Sequence, residues 1–97
     1  MTPTPTLQNI WLRSIAAYDA TPEYYWLIKD MFCLAAERYY ILDDIGIFLN
    51  IDRSHVSEHI RRAITRYNIL AQYRKRFAAA GFESPKRCPH CGSLIRD

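Results

Sequence analysis

Two sets of side chains in this sequence have the types and spacing to do chemistry. The first is Cys88-Pro-His-Cys91-Gly92. Two thiolates three residues apart can bind one tetrahedral ion, and a following glycine eases the tight turn, so the run reads as half of a zinc ribbon. A tetrahedral site needs four ligands, and the chain holds no second Cys-x-x-Cys pair. Two chains could each contribute Cys88 and Cys91, or His90 or Cys33 could complete the set; a free dithiol or an inert tail are the plain alternatives. Nothing around the pair has the βαβ pattern of a thioredoxin-type redox motif.

The second set is Arg53, Ser54, Ser57, Glu58, Arg61, Arg62 and Arg66, with Arg74, Lys75 and Arg76 beyond it. Guanidinium forks suit guanine edges and phosphates, hydroxyls suit either, and a carboxylate can accept from a cytosine amine. The charge distribution supports this chemistry. Residues 1–52 carry three Lys/Arg against seven Asp/Glu, a net of −4, whereas residues 53–97 carry ten against three, a net of +7. Such asymmetry fits a second half that faces phosphate, although a solvated basic helix gives the same count.

Helices must position both sets. Leu7, Ile10, Trp11, Ile15 and Tyr18 recur at three- and four-residue steps and predict a helix over 6–18. Thr21-Pro22-Glu23 has the cap, the preset first residue and the acid of a helix start, so a second helix is expected over 22–39 with Thr21 as its cap. Tyr25, Trp26, Ile28, Met31, Phe32, Leu34 and Ala35 are apolar most of the way round it, which makes it the central helix. Leu42 to Leu49 reads as a short third helix, Asn50-Ile51 as a turn, and Asp52 as a cap whose carboxylate accepts from the amides of Ser54 or His55. Val56, Ile60, Ala63, Ile64 and Tyr67 mark the buried side of a fourth helix. Leu70, Tyr73 and Phe77 continue that spacing, so the fourth helix either runs long or gives way to a fifth near Asn68.

The fold expected is therefore all-α: a small bundle of four to five helices over 1–80, with a short zinc-knuckle tail over 81–97. At 97 residues the chain can bury one modest core. No apolar run reaches the roughly 18 residues of a membrane span, and Met1-Thr2-Pro3-Thr4-Pro5 lacks the regions of a signal peptide, so a cytoplasmic location is expected.

Gly46, Ile51 and Val56, spaced five and five, supply a small residue where two helices cross, an apolar residue in the turn and another one turn into the next helix. On these residues the run Leu42-Asp-Asp-Ile-Gly-Ile-Phe-Leu-Asn-Ile-Asp-Arg-Ser-His-Val-Ser-Glu-His-Ile-Arg-Arg62 resembles the helix-turn-helix superfamily. Asn50 stands where glycine is usual, and asparagine tolerates the left-handed conformation. More narrowly, the run is similar to the C-terminal DNA-binding domain of the replication initiator DnaA, within the Trp-repressor-like group. Ile45-Gly46 matches that family's Ile-Gly pair, and Asp52-Arg53-Ser54-His55-Val56 matches its Asp-His-Thr-Thr-Val in part, after a turn one residue shorter. The resemblance covers about a third of the chain and implies a fold and a docking mode, not replication initiation.

The residues off the Val56, Ile60 and Ala63 face are then expected to enter the major groove of double-stranded DNA. Arg53, Ser54, Ser57, Glu58 and Arg61 would meet bases, while Arg62, Arg66, Arg74, Lys75 and Arg76 would meet the backbone. Glu58 would either face the groove floor or pair with Arg62. His55 and His59 are expected at phosphate or in packing, not as metal ligands. A transcriptional regulator of phage or mobile-element type, acting as a homodimer with zinc shared between two tails, is the leading expectation. A replication or packaging accessory, or an adaptor binding a protein such as RNA polymerase through the tail and the aromatic N-terminal helices, are the alternatives. An enzyme is not expected, because no paired catalytic carboxylates, Ser/His/Asp set or Gly-rich phosphate loop is present.

Overall fold

The computed structural model describes residues 4–19 and 21–85. The Cys88/Cys91 knuckle lies outside the described residues, as does His90. Five α-helices and one 3-10 turn account for 74% of what is described, with no strand among the described residues. They are α1 (Leu7–Ala17), the 3-10 turn Pro22–Tyr24, α2 (Tyr25–Ala36), α3 (Leu42–Leu49), α4 (Arg53–Ile69) and α5 (Ala71–Ala79). No helix among them is long and apolar enough to cross a membrane.

α1 starts where Thr6 accepts a hydrogen bond from the Asn9 amide, relieving one of the orphan donors of the first turn. The second helix begins later than expected. Pro22 opens a 3-10 turn, Thr21 makes no side-chain cap, and the α-helix proper starts only at Tyr25. It also ends earlier, in turns closed by the Tyr39 and Tyr40 amides on the Ala36 carbonyl, while the Tyr40 hydroxyl donates to Pro5 at 2.7 Å.

As expected from its all-round apolarity, α2 is the centre of the bundle: every residue from Asp30 to Ala36 is buried. Its first turn is the exception, since Tyr25 and Trp26 are exposed. α1 and α4 pack against α2, α3 packs on α4, and α5 folds back on α4. Phe32, Met31, Leu34, Ile10, Ile45, Val56 and Phe77 fill the core.

The fourth helix does break. Leu70 takes an extended conformation (φ −103°, ψ 111°), ending α4 at Ile69 and opening α5 at Ala71. Tyr73 and Phe77 continue the core as their spacing implied, but Leu70 itself is exposed at the bend.

The α3–turn–α4 unit matches the residues that predicted it. Asn50 is left-handed (φ 57°, ψ 46°) and its amide closes on the Ile47 carbonyl, while the Ile51 amide bonds Gly46 at 2.9 Å. A Cβ on Gly46 would stand 2.7 Å from the Ile51 carbonyl oxygen and 3.6 Å from a Val56 methyl. Because the nearer obstacle is backbone, only glycine permits this approach. Gly46→Ala should therefore destabilise the fold by about 1–3 kcal/mol, although alanine is the better helix former by about 1 kcal/mol. Urea denaturation checks this, and a midpoint equal to or above the parent's would show that the close approach is not required.

Candidate nucleic-acid interface

α4 has two sides of different chemistry. Val56, Ile60 and Ala63 are buried against α2 and α3. Arg53, Ser54, Glu58, Arg61 and Thr65 lie on the exposed side, with Ser57 half-buried beside them. The residues expected to meet bases thus share one face of one helix, an outcome of helical periodicity that needs no special tertiary contact.

The N-terminal end of this face is more acidic than basic. Arg53 sits 3.6 Å from Asp43, across the turn from α3. Asp44, Asp52 and Glu58 are exposed nearby in sequence. Asp52 occupies the cap position as expected; its carboxylate accepts from the Ser54 hydroxyl at 2.6 Å, and the Arg53 and Ser54 amides lie close enough to favour its charged form. That hydroxyl is the main cause holding the Asp52 carboxyl below its ordinary range. Asp43, Gly46, Ile47, Asn50, Ile51, Asp52 and Arg53 border a shallow groove of about 570 Å³, and Ile47 stands 78% exposed on its rim.

The C-terminal half of α4 is organised around Asp30, which the charge pattern had not singled out. Its side chain is completely buried on α2 and faces two guanidiniums and an imidazole of α4. His59 Nδ1 lies 2.5 Å from Oδ1, Arg66 Nη1 donates to Oδ2, and Arg62 Nη2 stands 3.5 Å from Oδ1. The Arg62 guanidinium also stacks over the Trp26 ring, 5.4 Å from its centroid. Burial alone would push the Asp30 carboxyl up, but the hydrogen bonds from His59 and Arg66, aided by the Arg62 and Arg66 charges, outweigh it and hold the group below its ordinary value.

His59 is therefore a packing residue, as one of its two expected roles had it. Arg62 and Arg66, expected on the DNA backbone, spend part of their charge inward, yet their side chains keep 39% and 29% exposure. Glu58 is not the acid that Arg62 faces; Asp30 is.

Two more of the expected backbone contacts also hold the fold. Arg74 donates to the carbonyls of Tyr67 and Asn68 at the end of α4, and Arg76 donates to Ala17 at the end of α1 while stacking on Tyr18. Both guanidiniums answer orphan carbonyls at helix C-termini, where positive charge is favoured. Lys75 is exposed between them.

Cys33 is fully buried in α2, and desolvation pushes its thiol far up, so it does not fit the role of a further zinc ligand. Among the described residues no group of three or more His, Cys, Asp or Glu is arranged to hold a metal ion.

No protein-family model matches the chain, and no curated protein or solved structure matches it either.

The Asp30 cluster has a defined pH signature. A carboxyl whose folded pKa is depressed contributes stability above its unfolded value, near 4, and loses it as pH falls through the folded value. Asp30→Asn should cost about 1–3 kcal/mol at neutral pH by leaving His59, Arg62 and Arg66 without the carboxylate they converge on, the guanidiniums being partly screened by solvent. The gap to the parent should narrow steadily below about pH 4. Thermal melts of both proteins from pH 7 to pH 2 test this; a gap that stays constant with pH would remove Asp30 as the titrating group.

Proposed function

We propose that the chain is a double-stranded-DNA-binding protein, a sequence-specific regulator that lays the exposed side of α4 in the major groove. The observation that carries this reading is the α3–turn–α4 unit itself. A backbone contact available only to Gly46 and the left-handed Asn50 fix the crossing of two helices, and α4 is left presenting a continuous polar face. That is the geometry by which a helix-turn-helix offers its second helix to a groove.

Within that reading, Arg53, Ser54, Ser57 and Glu58 face base edges. The acids at this end repel phosphate, so it contributes discrimination more than affinity, and the attraction for DNA comes from the basic second half. Arg61, expected at a base, stands among Arg62, Thr65 and Arg66 and is better assigned to the backbone. Selection from a random duplex pool tests the whole reading, since enrichment of a defined sequence supports it and recovery of unselected sequence opposes it. On an enriched site, Arg53→Ala should cost about 1–3 kcal/mol and relax preference at one base pair, whereas Lys75→Ala should weaken all duplexes alike. Equal losses on cognate and random DNA for both variants would defeat the division of roles.

The acidic rim around a 78%-exposed Ile47 favours a second reading, an adaptor that docks a basic protein segment on α3. Pull-down by duplex and failure to bind protein would separate the two.

Zinc belongs to the same proposal. Cys88 and Cys91 provide half of a tetrahedral site, and with Cys33 buried the simplest completion is a second chain, which also gives the two-fold symmetry of a palindromic operator. The expected result is one zinc per two chains by elemental analysis and a dimer that a chelator dissociates. One zinc per monomer, or none, would exclude the shared site.

A further inference from the structure

Around Asp30 the charges do not balance. One buried carboxylate faces two guanidiniums and an imidazole, with Oδ1 accepting from His59 and Oδ2 from Arg66. Arg62 stands 3.5 Å from Oδ1, beyond a good hydrogen bond, and among the described residues its shorter polar contact is 3.1 Å to His59 Nδ1. An imidazole nitrogen that gives its proton to Asp30 has no lone pair for Arg62, so that contact joins two donors. Arg62 is thus held in place by Trp26 and by Coulomb attraction, with hydrogen-bonding capacity unspent and its side chain partly exposed.

Its exposed neighbours complete the picture. Arg61, Arg62, Thr65 and Arg66 together line a shallow recess of about 270 Å³ on the outer flank of α4. Arg61 is exposed and has no ion pair among the described residues. Two guanidiniums over a single buried carboxylate, with Arg61 beside them, leave a net positive recess, at whose edge the Thr65 hydroxyl donates to the Arg61 carbonyl at 2.9 Å. Two of the three guanidiniums are already immobilised from below, so an incoming anion would not have to order them.

We propose that this recess is a preset anion site that takes a phosphate of the duplex backbone, with Asp30 as the positioning residue beneath it. The assignment to a backbone phosphate rests on the DNA-binding reading above; the existence of the anion site does not. Arg61 supplies a mobile fork, Arg62 supplies charge through the exposed part of its guanidinium, and Arg66 supplies charge while anchored to Asp30. The site lies in the half of α4 richer in cations, since the N-terminal half carries Arg53 against Glu58 and stands beside the acids Asp43, Asp44 and Asp52.

Two measurements on the full chain test it separately. The first titrates the free protein with inorganic pyrophosphate at low salt, following the arginine Nε–Hε signals by NMR. The Arg61, Arg62 and Arg66 signals should shift saturably while those of Arg13 and Arg38, engaged elsewhere with Gly81 and Glu83, stay put. Arg61→Gln, on an exposed position that leaves the Asp30 cluster intact, should weaken pyrophosphate about tenfold. Absence of a saturable shift, or shifts spread over all arginines, would overturn the site.

The second compares the salt dependence of duplex binding in the parent and in Arg61→Gln. Loss of one phosphate contact should reduce the slope of log K against log salt by about 0.9. An unchanged slope in a variant with weakened pyrophosphate binding would overturn the assignment to backbone phosphate. If the parent binds no duplex at all, the DNA-binding reading and this assignment fail together, and the pyrophosphate titration still decides whether the anion site exists.

Discussion

A carboxylate with no exposed surface, set on the central helix, is the constraint around which this small bundle is arranged. Removing Asp30 from water is expensive, and the cost is offset only if charged donors of α4 stay within reach. His59, Arg62 and Arg66 occur at three- and four-residue steps, so they form one stripe of α4 that faces α2. The register of α4 along α2 is fixed by that stripe together with the buried Val56, Ile60 and Ala63, since a shift along the helix would unpair Asp30 as well as unpack the core.

Fixing α4 in this way also fixes α3. Gly46 meets the Ile51 carbonyl at a distance that no Cβ would allow, and Asn50 absorbs the change of direction in one left-handed residue. The turn is short, so the two helices have little freedom relative to each other. Ile45 and Val56 close the space between them, and the exposed face of α4 becomes a rigid surface whose chemistry is set by its outward residues. Rigidity of this kind favours recognition, since little order has to be gained when a partner binds.

The arginines show how one residue type ties helix ends and loops together. Arg74 and Arg76 answer helix-end carbonyls, Arg13 reaches the Gly81 carbonyl, and Arg38 pairs with Glu83 and bonds the Ser84 carbonyl. Each remains charged, so each still adds to the field of the basic half. What they lose is mobility, which separates them from Arg61 and Lys75, exposed cations that make no ion pair among the described residues.

The amino-acid sequence by itself determined the local features. The apolar steps of α1, the span Leu42 to Leu49, the turn at Asn50, the glycine at 46 and the outward face of α4 all arise from interactions within a few residues, and periodicity records those directly. The sequence also carried the Cys88/Cys91 pair, whose spacing is its own signal. Tertiary structure decided the rest. Nothing local marks Asp30 as the partner of groups 29 to 36 residues away, because an aspartate on an apolar helix looks the same whether it meets solvent or a buried cation. Nor could spacing tell which arginines would cap helix ends, since α1 and α5 meet only in the folded chain. The bend at Leu70 is of the same kind: its neighbours keep helical spacing on both sides, while in the folded chain Arg74 closes the carbonyls at the end of α4 and Tyr73 and Phe77 turn into the core.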